Sequence, residues 1–155
     1  MSPRVYVETS VVSYLTSFPS RDIVIAAHQQ ITQSWWATRS RFDLYVSEAV
    51  LAEAGGGDPV AAERRLSALA NIAILAITGD VVSLATRFVD AGALPPKAFV
   101  DALHVAAAAV HGMDFLLTWN CSHIANAQIR GRLEALCRSL NLQPPMICTP
   151  EELQE

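Results

Sequence analysis

The sequence predicts an α/β domain built on a mostly parallel sheet of about five strands. Three observations carry this. Five short runs rich in Val, Ile, Leu, Phe and Tyr are separated by longer stretches with apolar residues at three- and four-residue spacing. Those stretches are long enough to be helices, and hairpin signals are few, so the strands run largely parallel with helices on both faces. A length of 155 residues supports one domain with a good core, spanning 1–155, and is too short for two ordinary ones.

In order, residues 4–8 (Arg-Val-Tyr-Val-Glu) read as a short buried strand. Thr9 and Ser10 are good N-cap residues, and Val11 to Leu15 begin a helical turn. A break at 18–20 leads to a helix from Asp22 to about Arg41, with Ile23, Ala26, Ala27, Ile31 and Trp35 on one stripe. Trp35 and Trp36 are read as core or dimer packing. Phe42 to Val46 is the second strand. Ser47 caps a helix with Glu48 in its first turn and Glu53 near its end, stopped by Gly55-Gly56-Gly57-Asp58-Pro59. A helix over 60–70, a third strand over 72–77, and a helix capped by Asp80 and ended by Gly92 follow. Pro95-Pro96-Lys97 introduces an almost wholly apolar helix from Ala98 to about His111, with Gly112 as its stop. Residues 114–118 form the fourth strand, about 127–140 a helix, and 146–148 the fifth strand. Thr149 caps a short final helix with Pro150 at its first position.

Composition excludes several classes. Hydrophobic residues make up 52% of the chain and mean hydropathy is +0.28, yet no run reaches the roughly 18 uncharged residues of a membrane span. An acid appears by Glu8 with no apolar h-region before it, so no secretory signal peptide is expected. Cys121, Cys137 and Cys148 are scattered without a CxxC pair, which suits a reducing cytoplasm and argues against a disulfide framework. A net charge of -4 is wrong for a nucleic-acid-coating protein, so any such contact rests on local basic residues; Arg39, Arg41, Arg64, Arg65, Arg130 and Arg132 are the candidates. Low charge with high apolar content points to a covered surface, such as a dimer face or partner site.

The chemistry centres on Asp101, a lone carboxylate in the apolar helix and costly there unless something satisfies it. Glu8 ends strand one and Asn120 lies just past strand four, so both can converge with Asp101 at the carboxyl edge of a parallel sheet. Hard oxygen ligands of this kind suit Mg²⁺ or Mn²⁺, which can activate water and neutralise charge on a phosphodiester. Glu48 is explained as an acid favoured at a helix N-terminus; Glu53, at the other end of that helix, lacks that explanation. His104 lies three residues after Asp101, on the same helix face, where it can hydrogen-bond a metal-bound carboxylate or the substrate. His123 and Asn126 follow strand four in a loop rimming the same cleft, and Cys121 with His123 is discounted as a metal pair.

These motifs resemble the PIN domain of VapC-type toxins from bacterial toxin–antitoxin pairs. The matching pieces are residues 5–10 (VYVETS), 46–53 (VSEAVLAE), 101–106 (DALHVA), 116–120 (LLTWN) and 149–152 (TPEE), and the resemblance spans essentially the whole chain. It implies a PIN-like three-layer α/β/α sandwich, often dimeric, with metal-dependent ribonuclease activity and a cognate antitoxin partner. It implies Glu8, Glu53 and Asp101 as the metal-holding acids and Asn120 at the fourth position, with Glu48 as the rival for Glu53. Thr9 and Ser10 match the small hydroxyl residues that hold the first acid or contact a phosphate. Two departures stand out: Glu8 replaces the usual Asp, one methylene longer, and Asn120 replaces a usual acid, keeping a carbonyl oxygen but no charge. The implied chemistry is in-line attack of an activated water on phosphorus with loss of the 3′ oxygen. Two other classes are a PIN-like module that binds RNA or protein without catalysis, and an unrelated doubly wound hydrolase. The latter ranks last, because GxGxxG, the P-loop and an Asp-x-Asp after strand one are all absent.

Overall fold

The computed structural model describes residues 2–154. Among these, β1 (Arg4–Val7), β2 (Asp43–Ser47), β3 (Ala73–Leu75), β4 (Phe115–Leu117) and β5 (Met146–Cys148) form one sheet in the order β3-β2-β1-β4-β5. Every neighbouring pair is parallel, with Tyr6 opposite Tyr45 on one side and Leu116 on the other. Val5, Tyr6 and Val7 are all fully buried although successive side chains point to opposite faces, so both faces of the central strand are covered.

The connections are α1 (Thr9–Thr16), α2 (Ile23–Ala37), α3 (Glu48–Ala54), α4 (Pro59–Ala68), α5 (Gly79–Asp90), α6 (Phe99–Val110) and α7 (Ala127–Ser139). Their starts follow side-chain chemistry. Asp22, Ser47 and Asn126 each accept two backbone N–H bonds at the heads of α2, α3 and α7. The apolar helix α6 packs along α5, and Ala102, Val105, Ala106 and Ala108 are buried in the core with Val81, Leu84, Ala85 and Phe88. Small alanine side chains let the two backbones approach closely. Gly92 and Gly112, which follow α5 and α6, take φ of +75° and +70°, the left-handed conformation that costs glycine least.

Several boundaries differ from the sequence reading. The helix expected over 22–41 ends at Ala37, and Arg39–Arg41 tighten into a 3₁₀ turn in which the Arg39 and Arg41 guanidinium groups donate to the Trp36 and Thr38 carbonyls. Thr78, not Asp80, caps α5, its hydroxyl oxygen accepting the Val81 amide. The edge strand β3 keeps three of the expected residues because it pairs on one side only, with β2. After β5 the Thr149 and Glu152 side chains bond reciprocally to each other's amides, but a single turn rather than a helix follows.

Candidate metal centre

Strand order makes the gap between β1 and β4 the place where connections diverge to opposite sides, and in open parallel sheets ligands bind outside the carboxyl ends of the strands there. Glu8 occupies that spot. It directly follows β1 as the N-cap residue of α1, and its amide donates to the Leu117 carbonyl at 3.0 Å. Although an acid, it is only 4% exposed. Its Oε1 accepts from the Ser10 hydroxyl and from Thr118 Oγ1, the latter at 2.6 Å, while Oε2 has no hydrogen bond among the described residues. Both hydroxyls are fixed in turn: Ser10 Oγ accepts the Trp119 amide at 2.8 Å and Thr118 Oγ1 the Asn120 amide at 2.9 Å.

Glu53 reaches the same place from the last turn of α3. Its Oε1 accepts from Thr9 Oγ1 at 2.6 Å and pairs with His104 Nε2 at 2.6 Å. His104 is fully buried on α6, and its Nδ1 meets the Tyr6 hydroxyl at 2.7 Å. The Tyr6 hydroxyl also bonds Ser47 Oγ at 2.7 Å, the same oxygen that caps α3. A buried chain of side chains thus ties β1, β2, α3 and α6 together beneath Glu53. A carboxylate only accepts, so the Nε2 proton of His104 points at Glu53. Burial disfavours the charged form of Glu53, but the bonds from His104 and Thr9 outweigh it and hold the carboxyl below its usual range. Burial likewise opposes charge on His104, and Glu53, Glu8 and Asp101 together raise its proton affinity above that of an ordinary histidine.

Ligand atoms of Glu8, Glu53 and His104 lie within 4.8 Å of one another. Asp101 is outside that group. It sits in the first turn of α6, its Oδ2 3.0 Å from His123 Nδ1. His123 in turn donates its amide to Asn120 Oδ1 at 3.1 Å. Asn120 therefore uses its side-chain oxygen to shape the loop that carries His123. Glu48 is elsewhere, accepting the Ile77 amide at 2.6 Å just past β3. Among the described residues no lysine or arginine pairs with Glu8, Glu53 or Asp101. Four of the arginines considered for phosphate contact donate to main chain: Arg39 and Arg41 to the Trp36 and Thr38 carbonyls, Arg65 to the Ala54 and Gly56 carbonyls, and Arg130 to the Ile147 carbonyl. A cavity of about 460 Å³, lined by Trp36, Arg39, Phe42 and Asn71 among others, opens at the amino ends of β2 and β3, away from the acids.

Sequence reasoning missed Tyr6, Ser47 and Thr118 as parts of this arrangement. The first reads as a core residue on a buried strand, and the hydroxyls read as caps and strand ends. Alternation along β1 gave no sign that Tyr6 has a polar partner 98 positions away.

No family profile and no curated protein matches the sequence. Solved structures do match in shape. VapC20 of Mycobacterium tuberculosis, described as a sarcin-ricin loop cleaving toxin, superposes with a TM-score of 0.61 at 19% identity, over 79% of this chain and 95% of its own. VapBC2 of Rickettsia felis, bound to a DNA fragment from its promoter, gives a TM-score of 0.60 at 14% identity, over 94% of this chain and 98% of the matched one. With its all-parallel 3-2-1-4-5 sheet, the chain has the PIN-like fold that these VapC structures share.

Proposed function

We propose that this chain is a metal-dependent endoribonuclease, the toxin of a type II toxin–antitoxin pair, acting in the cytoplasm. One observation carries the reading. Two carboxylates from separate elements meet at the switch point of the sheet, one almost wholly buried and neither paired with lysine or arginine among the described residues. Glu53 is already held by Thr9 and His104, but the buried charge of Glu8 is costly unless it is satisfied, and a cation shared with Glu53 would do so. Glu8 and Glu53 both spend Oε1 on internal bonds and keep Oε2 without a hydrogen bond among the described residues, which fits a divalent ion with oxygen ligands, Mg²⁺ or Mn²⁺. Glu8 and Glu53 would hold that ion, and Asp101, which lies outside their group, would complete the set through Oδ1, the oxygen it does not give to His123.

When bound, the ion supplies charge neutralisation at a phosphodiester and a water of lowered pKa. The protein groups do the rest. Ser10 and Thr118 fix the Glu8 carboxylate, and Thr9 with His104 fixes that of Glu53. His104 has both ring nitrogens engaged, so it acts through Glu53 and not as a ligand. Asn120 contributes by holding the 120–124 loop, whose His123 orients Asp101. Phe18, Ile23, Val24 and Val60 are exposed apolar residues, in keeping with an antitoxin partner and a homodimer, and the VapBC2 complex supports such a partner.

Purified protein is expected to cleave single-stranded RNA with Mn²⁺ or Mg²⁺, to stop in EDTA, and to lose cleavage on Asp101→Asn. Metal-independent cleavage, or cleavage unaffected by Asp101→Asn, contradicts the assignment. Absence of both cleavage and Mn²⁺ binding at millimolar metal favours the non-catalytic module instead.

A further inference from the structure

Beside the acids lies an aromatic pile that the proposed chemistry does not use. Trp119 directly follows Thr118 and is 8% exposed. Its indole N–H donates to Thr32 Oγ1 at 2.7 Å, and that hydroxyl donates to the His28 carbonyl one turn back on α2. The His28 imidazole lies flat on the indole, ring centres 4.0 Å apart and planes 12° from parallel. Tyr14 meets both rings edge-on, at 5.9 Å from His28 and 6.1 Å from Trp119. His28 and Tyr14 are half-buried, and neither the imidazole nitrogens nor the phenol hydroxyl has a hydrogen bond among the described residues. A buried indole thus acts as a floor beneath two half-buried rings whose polar atoms have no hydrogen bond among the described residues.

The pile is tied to the acids by position. Ser10, which bonds Glu8, and Tyr14 are four residues apart on α1, so their Cβ atoms stand about 6 Å apart on one helix face. Trp119 also donates its amide to Ser10. The charge balance matters too. With a net charge of -4 the chain gains little from general attraction to phosphates, so base stacking would add to what local basic residues contribute in holding single-stranded nucleic acid. Aromatic faces with free polar edges are the groups that bind unstacked bases.

We infer that His28 and Tyr14, backed by Trp119, form a subsite that stacks one unpaired RNA base next to the acids. The inference rests on the ribonuclease reading and adds a base-binding position to it. The test uses the whole chain in EDTA, so that nothing is cut, and a fluorescein-labelled single-stranded RNA 12-mer read by anisotropy, beside the same 12-mer with abasic nucleotides. Wild type should bind the base-bearing strand more tightly than the abasic one. His28→Ala should weaken binding of the base-bearing strand about tenfold and leave the abasic strand unaffected. His28→Phe, which keeps a flat ring, should restore binding. If His28→Ala binds like wild type, or if the abasic strand binds wild type as tightly as the base-bearing one, the subsite is wrong even where wild type cleaves RNA with metal. If His28→Phe melts like wild type yet binds as weakly as His28→Ala, stacking is also refuted. A wild-type protein that neither binds the 12-mer nor cleaves RNA overturns the ribonuclease reading together with the subsite.

Discussion

Exchange of Glu8 for Gln is expected to lower metal-dependent RNA cleavage about 10³-fold while raising the melting temperature of the metal-free protein. The two effects share one cause. Glu8 is a nearly buried carboxylate with no lysine or arginine partner among the described residues, so in the absence of metal its charge works against the folded state. Glutamine keeps the size and can still accept from Ser10 and Thr118 through its carbonyl oxygen. Its NH₂ group replaces the oxygen left for a cation. Losing one charged ligand removes several kcal/mol of interaction that a metal site depends on, and each 1.4 kcal/mol is a factor of ten. Cleavage rates with saturating RNA and thermal melts in EDTA check both halves. Glu48→Gln is the matched control: its carboxylate holds the Ile77 amide, and its loss should leave cleavage unchanged. The reverse result would make Glu48 the second acid in place of Glu53.

Replacement of His104 by Ala is expected to cost about 3 kcal/mol of folding stability and to weaken Mn²⁺ binding between about 10- and 100-fold. His104 is fully buried, so its removal leaves a cavity and strands two partners. The Tyr6 hydroxyl loses one of its two bonds, and Glu53 loses the histidine that fixes its Oε1. Tyr6→Phe separates the two effects. It removes only one oxygen, costs about 1 kcal/mol, and leaves the His104 bond to Glu53 in place. Its Mn²⁺ affinity should therefore fall less than that of His104→Ala. Denaturant melts and calorimetric Mn²⁺ titrations read the two quantities apart. Equal Mn²⁺ affinity in His104→Ala and wild type would show that the buried histidine serves packing alone.

Features set by local chemistry were legible in the sequence. Ser47 announces its helix because a side-chain oxygen can reach free amides two or three residues on, and the structure uses it in that way; Asp22, read as the first helical residue, turns out to cap α2 by the same chemistry. Glu8 was visible from its place at the carboxyl end of a strand, and Asp101 from its apolar neighbours, although the structure starts α6 at Phe99 and so puts Asp101 in a first turn, where an acid is favoured in any case. Competition between neighbouring caps was harder. Thr78 and Asp80 can both start α5, and Thr78 does so because its hydroxyl oxygen lies within reach of the Val81 amide. Contacts across the sheet were not legible at all. That Tyr6, Ser47, His104 and Glu53 form one chain depends on β1 lying beside β2 and on α6 packing near α3. Pairing of Asp101 with His123 depends on how the loop after β4 folds back over α6. Residue types alone could nominate these groups for the cleft but could not say which would hold which.

The central claim is that Glu8, Glu53 and Asp101 bind one divalent ion at the carboxyl ends of β1 and β4. Diffraction from crystals soaked in millimolar Mn²⁺, collected where manganese scatters anomalously, tests it most directly. The prediction is an anomalous peak ligated by carboxylate oxygens of all three acids. A peak bound without Glu8 and Glu53, or no peak in this cleft at that concentration, would contradict it.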